Sequence, residues 1–170
     1  MLQGSYVALV TPFRNGGIDW TALEGLIQFH LDEGTNGILL LGTTAETAGM
    51  ASDEKDALLR FAINKINRQV PVMIGTGTNN LSQTLVNTQK ARDLGADSAL
   101  VITPYYIKPT QKGMIEYFQT VAGKVDIPIV IYNVPGRTGV NMTAATTVKL
   151  AESCPNIVGI KEASGNLVQA

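Results

Sequence analysis

Lys161 closes the apolar run Ile157-Val158-Gly159-Ile160, which reads as a buried parallel strand. An ammonium at the end of a buried strand loses hydration, and that disfavours its charged form. A neutral lysine amine can attack a ketone and form a Schiff base. A lysine that merely caps a strand and reaches solvent is the plain alternative, so the other strand ends carry weight. Thr11-Pro12, Thr43-Thr44, Thr76, Thr103-Pro104-Tyr105-Tyr106, Asn133 and Lys161-Glu162 all fall at or just past the ends of apolar runs. Arg137 follows the same run as Tyr132, and a guanidinium can grip a carboxylate with two parallel hydrogen bonds.

Positioning such groups is a matter of the elements beneath them. Short β-rich runs recur at Tyr6–Val10, Gly37–Leu41, Val70–Ile74, Ser98–Ile102, Ile127–Tyr132 and Ile157–Ile160. Their starts are spaced by roughly 30 residues, about one-eighth of a typical eight-unit β/α barrel. Helical patterns lie between them. Trp20, Leu23, Ile27 and Leu31 form a stripe behind Asp19 as N-cap; Leu58, Phe61, Ala62 and Ile66 form another behind Ser52. Ile115, Phe118 and Ala122 mark a third, and Val148 with Ala151 a fourth that Pro155 ends.

Continuous apolar strands imply a parallel sheet covered on both faces. A doubly wound open sheet would fit that alternation as well, but it would concentrate its signature in a glycine-rich first turn. Gly75-Thr76-Gly77 lacks the third glycine of a dinucleotide fingerprint, and no phosphate-loop Gly-Lys-Ser/Thr occurs. Polar residues spread over many strand ends are the mark of a barrel rim. The expected fold is therefore α/β, a (β/α)8 TIM barrel that is incomplete, with six strands and five helices in a single domain over 1–170. It would end just after strand 6.

Bulk composition is that of an ordinary globular chain: 170 residues, 45% hydrophobic, 16% charged, formal net charge -1. Near-zero charge provides no electrostatic footprint for nucleic acid or an anionic membrane. Cys154 is alone, so no internal disulfide can form, and its place at a helix end suggests packing. With His30 the only histidine, a His-rich metal site is excluded. The N-terminus lacks a basic n-region and a long apolar h-region, which makes the cytoplasm the default location.

Gly42-Thr43-Thr44-Ala45-Glu46, Thr103-Pro104-Tyr105-Tyr106, Tyr132-Asn133-Val134-Pro135-Gly136-Arg137-Thr138-Gly139 and Gly159-Ile160-Lys161 stand in the order and spacing of one family. The chain resembles the first part of members of the dihydrodipicolinate synthase / N-acetylneuraminate lyase family. The resemblance implies a class I, Schiff-base (β/α)8 aldolase that uses or releases pyruvate, with no cofactor. It makes Lys161 the lysine that condenses with pyruvate, Tyr132 the proton-transfer group, and Thr43 the link from Tyr132 to Tyr106. The tyrosine matching Tyr106 enters from a neighbouring subunit, so a homodimer or homotetramer is implied. Thr43 and Thr44 would also hold the pyruvate carboxylate.

In the family, an arginine two places after the Tyr-Asn-x-Pro proline, where Arg137 stands here, marks the synthases that bind the carboxylate of aspartate semialdehyde. The favoured reaction is therefore pyruvate with L-aspartate 4-semialdehyde, giving the cyclic precursor of diaminopimelate and lysine. Two other readings stand beside it. One is a lyase of the same family acting on a 2-keto-sugar acid; the other is an inactive truncated barrel or a non-catalytic assembly module. The second draws on the stop at Ala170, where a sixth helix would begin, and it implies little activity for the 170 residues alone. Ala45 departs from the family's usual glycine, which matters only if that position needs a positive φ or a close backbone approach.

Overall fold

The computed structural model describes residues 2–170. Its chain divides into two compact units, one ending at Gly75 and one running from Thr76 to Ala170.

In the first unit three parallel strands lie in the order β1 (Tyr6–Ala8), β4 (Gly37–Leu40), β5 (Val72–Gly75). Between β1 and β4 comes a two-stranded hairpin, β2 (Phe13–Arg14) with β3 (Gly17–Ile18). Its turn residues Asn15 and Gly16 both have left-handed φ, as the tight Asn-Gly hairpin turn requires. Helix α1 (Trp20–Asp32) starts where Asp19 accepts a hydrogen bond from the Ala22 N–H, as expected. Leu23 and Ile27 are its buried stripe. Helix α2 (Ser52–Ile66) begins one residue earlier than expected. Ala51 is the N-cap, and Glu54 reaches back to its N–H at 2.9 Å, so Ser52 is the first helical residue and not the cap. Trp20, too exposed for the core, packs its ring against Phe61.

The second unit repeats the plan: β6 (Ser98–Ile102), β7 (Ile129–Asn133) and β8 (Ile157–Glu162) pair in parallel in that order. Helices α3 (Leu81–Asp93), α4 (Gln111–Lys124) and α6 (Ala144–Ser153) alternate with them, and a single turn, α5 (Pro135–Thr138), follows β7. Ala99, Val101, Ile129, Ile131 and Ile157 meet Met114, Phe118, Val121 and Leu150 in one apolar cluster. Cys154 packs into the same cluster as a free thiol. On α6 the buried residues are Thr146 and Leu150, while the expected Val148 and Ala151 are exposed. The helix turns its i, i+4 pair inward, and Val148 lies off that face.

Helix α3 has no apolar stripe of the usual kind; it buries Thr84, Thr88 and Ala91. The hydroxyls are satisfied. Tyr117 on α4 donates to the Thr78 carbonyl at 2.7 Å and lies 2.7 Å from the Thr84 hydroxyl. Thr88 donates to the Thr84 carbonyl at 2.7 Å and lies 2.9 Å from the Thr76 hydroxyl. Burial pushes the Tyr117 phenol up to about 12, so it remains a neutral donor at physiological pH. Tyr117→Phe should lower unfolding stability by about 0.5–1.5 kcal/mol, the net worth of a hydrogen bond, since Thr84 keeps its bond from the Thr78 N–H. Denaturant unfolding checks this; a change below about 0.5 kcal/mol, the range of a neutral surface substitution, would show that the Tyr117 hydroxyl adds no net stability.

Six parallel strands alternating with five main helices are the plan of a (β/α)8 barrel, present in part. Two glycines show how tightly the strand ends pack. A Cβ at Gly75 would sit 2.2 Å from the Leu41 carbonyl oxygen, and one at Gly77 would sit 2.4 Å from the Ile102 nitrogen. Neither backbone could yield without breaking the ladder. Close backbone approach explains the two glycines of Gly75-Thr76-Gly77.

Candidate active site

In the second unit the ends of β7 and β8 bring two expected residues together. Tyr132 and Lys161 are direct ladder partners, and the Lys161 Nζ lies 4.6 Å from the centre of the Tyr132 ring. A cation over a phenol face is attracted by the ring quadrupole. Tyr132 is buried, so its ring is a fixed wall. Lys161 itself is exposed, as are Val158 and Gly159. In these 170 residues the strand end is open where a buried one was expected, as befits the edge of an incomplete barrel. Among the described residues β8 pairs with β7 alone, and only Ile157 of the run is buried.

One residue further on, Asn133 and Glu162 are also partners. Asn133 is fully buried, and its Nδ2 donates to Glu162 Oε2 at 2.9 Å and to Asn141 Oδ1 at 2.8 Å. Its Oδ1 accepts from the Met142 N–H. Glu162 also accepts from the Ser164 N–H at 2.7 Å and from Gln169 at 3.0 Å. Burial alone would push the Glu162 carboxyl up; the bonds from Asn133, Ser164 and Gln169 outweigh it and hold the group below its ordinary value. A depressed carboxyl stabilises the fold above its unfolded pKa, and that contribution fades as pH falls through the lower folded value. Between about pH 5 and pH 3 the melting temperature of the parent should therefore fall more steeply than that of Glu162→Gln. Thermal melts across that range test it, and parallel curves would contradict it.

The loops after β6 and β7 are tied together in the same unit. The Tyr106 N–H donates to the Thr138 carbonyl at 3.2 Å, and Thr138 caps its own turn through Oγ1 to the Val134 and Val140 carbonyls. Arg137 lies on that turn, exposed. Tyr106 is 86% exposed with a left-handed φ of 71°, a conformation that costs a bulky residue energy and is held by its surroundings.

In the first unit, Thr43 and Thr44 open a single 3-10 turn, Thr43–Ala45, after the N-cap Gly42. Both are exposed. Thr47 Oγ1 donates to the Gly42 carbonyl at 3.0 Å and steadies the turn. Ala45 is buried with an ordinary backbone, and the left-handed position is taken by Glu46 at φ 58°. The departure from glycine at residue 45 thus meets no backbone requirement. Leu41, also left-handed at φ 53°, ends β4 one residue before its expected limit.

Nothing in the sequence marks Gln169, the contact of Asn141 with Asn133 or the irregular step in β8 as parts of this site. The available signal was the spacing of Ile157 and Ile160, which no regular strand can place on one face. Among the described residues no group of three or more His, Cys, Asp or Glu side chains could hold a metal ion. None of the helices among those residues is long and apolar enough to cross a membrane.

Known proteins match this chain closely. The model of the dihydrodipicolinate synthetase family matches residues 1–170. A 4-hydroxy-tetrahydrodipicolinate synthase from Alkaliphilus oremlandii is 46% identical over 169 residues, and one from Thermodesulfovibrio yellowstonii is 47% identical over 169. In both cases 99% of this chain is covered but 58% of the relative, so the chain spans well under two thirds of their length. The crystal structure of dihydrodipicolinate synthase from Aquifex aeolicus superposes with a TM-score of 0.95 at 46% identity, covering 99% of this chain and 57% of that one. The Thermotoga maritima enzyme of the same name reaches 0.97 at 41% identity, over 99% and 57%. A family match over the whole chain, together with these identities, shows that the chain belongs to the dihydrodipicolinate synthetase family.

Proposed function

We propose that the protein acts as a 4-hydroxy-tetrahydrodipicolinate synthase, condensing pyruvate with L-aspartate 4-semialdehyde through a Schiff base on Lys161. The observation that carries this reading is the pairing of Lys161 with Tyr132 across β7 and β8, with Nζ 4.6 Å from the ring centre. The names of the relatives support it.

The Lys161 amine adds to the pyruvate ketone, and loss of water leaves an imine. A proton leaves the methyl carbon, and the resulting enamine attacks the aldehyde to form the new carbon–carbon bond. The amino group of the second substrate then attacks the imine carbon, closes the ring and releases Lys161. One water is lost overall. Each proton transfer needs a donor and acceptor within reach, and Tyr132 takes that role, with Thr43 passing the proton on to Tyr106. Thr43 and Thr44 bind the pyruvate carboxylate; hydroxyls and free N–H groups of a turn suit an anion. Arg137 binds the carboxylate of the semialdehyde.

No metal or organic cofactor takes part, since the lysine itself is the electron sink. A homodimer or homotetramer in the cytoplasm, with no nucleic acid or membrane partner, completes the reading. The high exposure of Tyr106 suits a side chain that enters a neighbouring subunit's site.

Borohydride reduction in the presence of pyruvate, read by peptide mass spectrometry, tests lysine and substrate together. The adduct should fall on Lys161; an adduct on Lys108 or Lys124 would sink the assignment. A substrate panel then separates aspartate semialdehyde from N-acetylneuraminate and deoxy-keto acids.

A further inference from the structure

Strand β7 alternates regularly. Ile129 and Ile131 enter the apolar cluster beneath α4 and α6, and Asn133 bonds to Met142 of that same cluster. Val130 and Tyr132 therefore point to the other face. On β8, Ile157 belongs to the helix-side cluster and Ile160 packs against it. Residues three apart cannot share a face of a regular strand. The ladder solves this by a shift: Ile129 pairs with Ile157, but Val130 pairs with Gly159. Val158 is the extra residue of a β-bulge, half exposed.

The shift decides where Lys161 points. A regular strand continued from Ile157 would place Lys161 opposite Asn133, facing the helices. Beyond the bulge it lies opposite Tyr132 instead, and Glu162 lies opposite Asn133. Bulges commonly re-aim a side chain beside a functional site. Two anchors favour the shifted half: Ile160 against the cluster, and Glu162 in its bonds to Asn133, Ser164 and Gln169. In the unshifted register the fully buried Asn133 amide would lose its carboxylate partner.

The geometry points to Asn133 and Glu162 as positioning residues, whose hydrogen bond holds the end of β8 in the shifted register and so aims Lys161 at Tyr132. Its catalytic consequence rests on the Schiff-base reading; the register itself does not. Tyr132→Cys with Lys161→Cys in the intact protein reports the register directly. Partners facing the same side of adjacent strands should form a disulfide on oxidation. Adding Glu162→Ala should lower the yield several-fold, and deleting Val158 in that background should restore it, because without the extra residue the Ile157 register itself places residue 161 on the face of residue 132. Should Glu162→Ala fail to fold, Glu162→Gln, which keeps one acceptor, should show a smaller loss with the same rescue.

In protein retaining Tyr132 and Lys161, Glu162→Ala should slow borohydride-trapped adduct formation by on the order of a hundredfold, the scale of a misplaced reacting group. Deletion of Val158 should again recover it. No disulfide in the parent pair, an unchanged yield with Glu162→Ala, or a loss that the deletion does not rescue would each overturn the positioning role. A parent that forms the disulfide while the native protein takes up no pyruvate would overturn the Schiff-base reading and leave the register proposal standing.

Discussion

Lys161→Ala in the intact enzyme should abolish borohydride-trapped pyruvate and lower turnover by roughly ten-thousandfold or more, the scale seen when a covalent nucleophile is removed. The Nζ lies over a ring fixed by burial, so removing it deletes the proposed attacking atom and leaves the buried ring in place. Because Lys161 is exposed in these 170 residues, the substitution should leave their own melting temperature nearly unchanged. Lys161→Arg should fail equally, since a guanidinium stays protonated and cannot attack a ketone. Steady-state turnover, adduct mass and thermal melts together test the claim. Normal turnover by either variant would remove the Schiff base from this protein.

Arg137→Ala should spare the first half of the reaction and damage the second. Its side chain stands exposed on the α5 turn, away from the core, so the fold should tolerate the loss. A lost charge-assisted bond costs about 1.5–3 kcal/mol, or roughly ten- to a hundredfold in kcat/KM for aspartate semialdehyde. Pyruvate adduct formation should change less than about threefold, within the scatter of a surface substitution. Stopped-time trapping and initial rates at varied semialdehyde separate the two. Equal damage to both steps would make Arg137 an organiser of the whole site. Preserved use of the semialdehyde, with activity on a keto-sugar acid, would favour a lyase.

Periodicity made the strands and most helices legible. Ser98–Ile102 has its expected limits, and the Leu23/Ile27 stripe behind Asp19 forms as expected. Those features are local, because burial of a continuous run or of one helix face is written in the spacing of apolar residues. Helix α3, counted among the five expected helices, carried no apolar stripe for the same reason in reverse. Its inner face is Thr84 and Thr88, residues that read as polar until Tyr117, thirty-three positions from Thr84, satisfies the first and Thr76 with the Thr84 carbonyl satisfies the second. Val148 misled because α6 has more than one apolar residue, and the sheet beneath selects which face is buried.

The candidate site divides along the same line. Which residues could do the chemistry was written in the chain: a lysine, a tyrosine and an arginine at strand ends, in the order and spacing of a known family. That the tyrosine stands near the lysine was implied by the resemblance alone; strand parity could not give it, because β8 is broken at Val158, and a bulge depends on what both ends of the strand must touch. The exposure of Lys161 within these 170 residues accords with the incomplete barrel read from the sequence, in which the sixth strand is an edge. Ala45 shows the limit at single-residue scale. Sequence raised the question of a left-handed backbone, and only the folded turn, which passes that conformation to Glu46, could answer it.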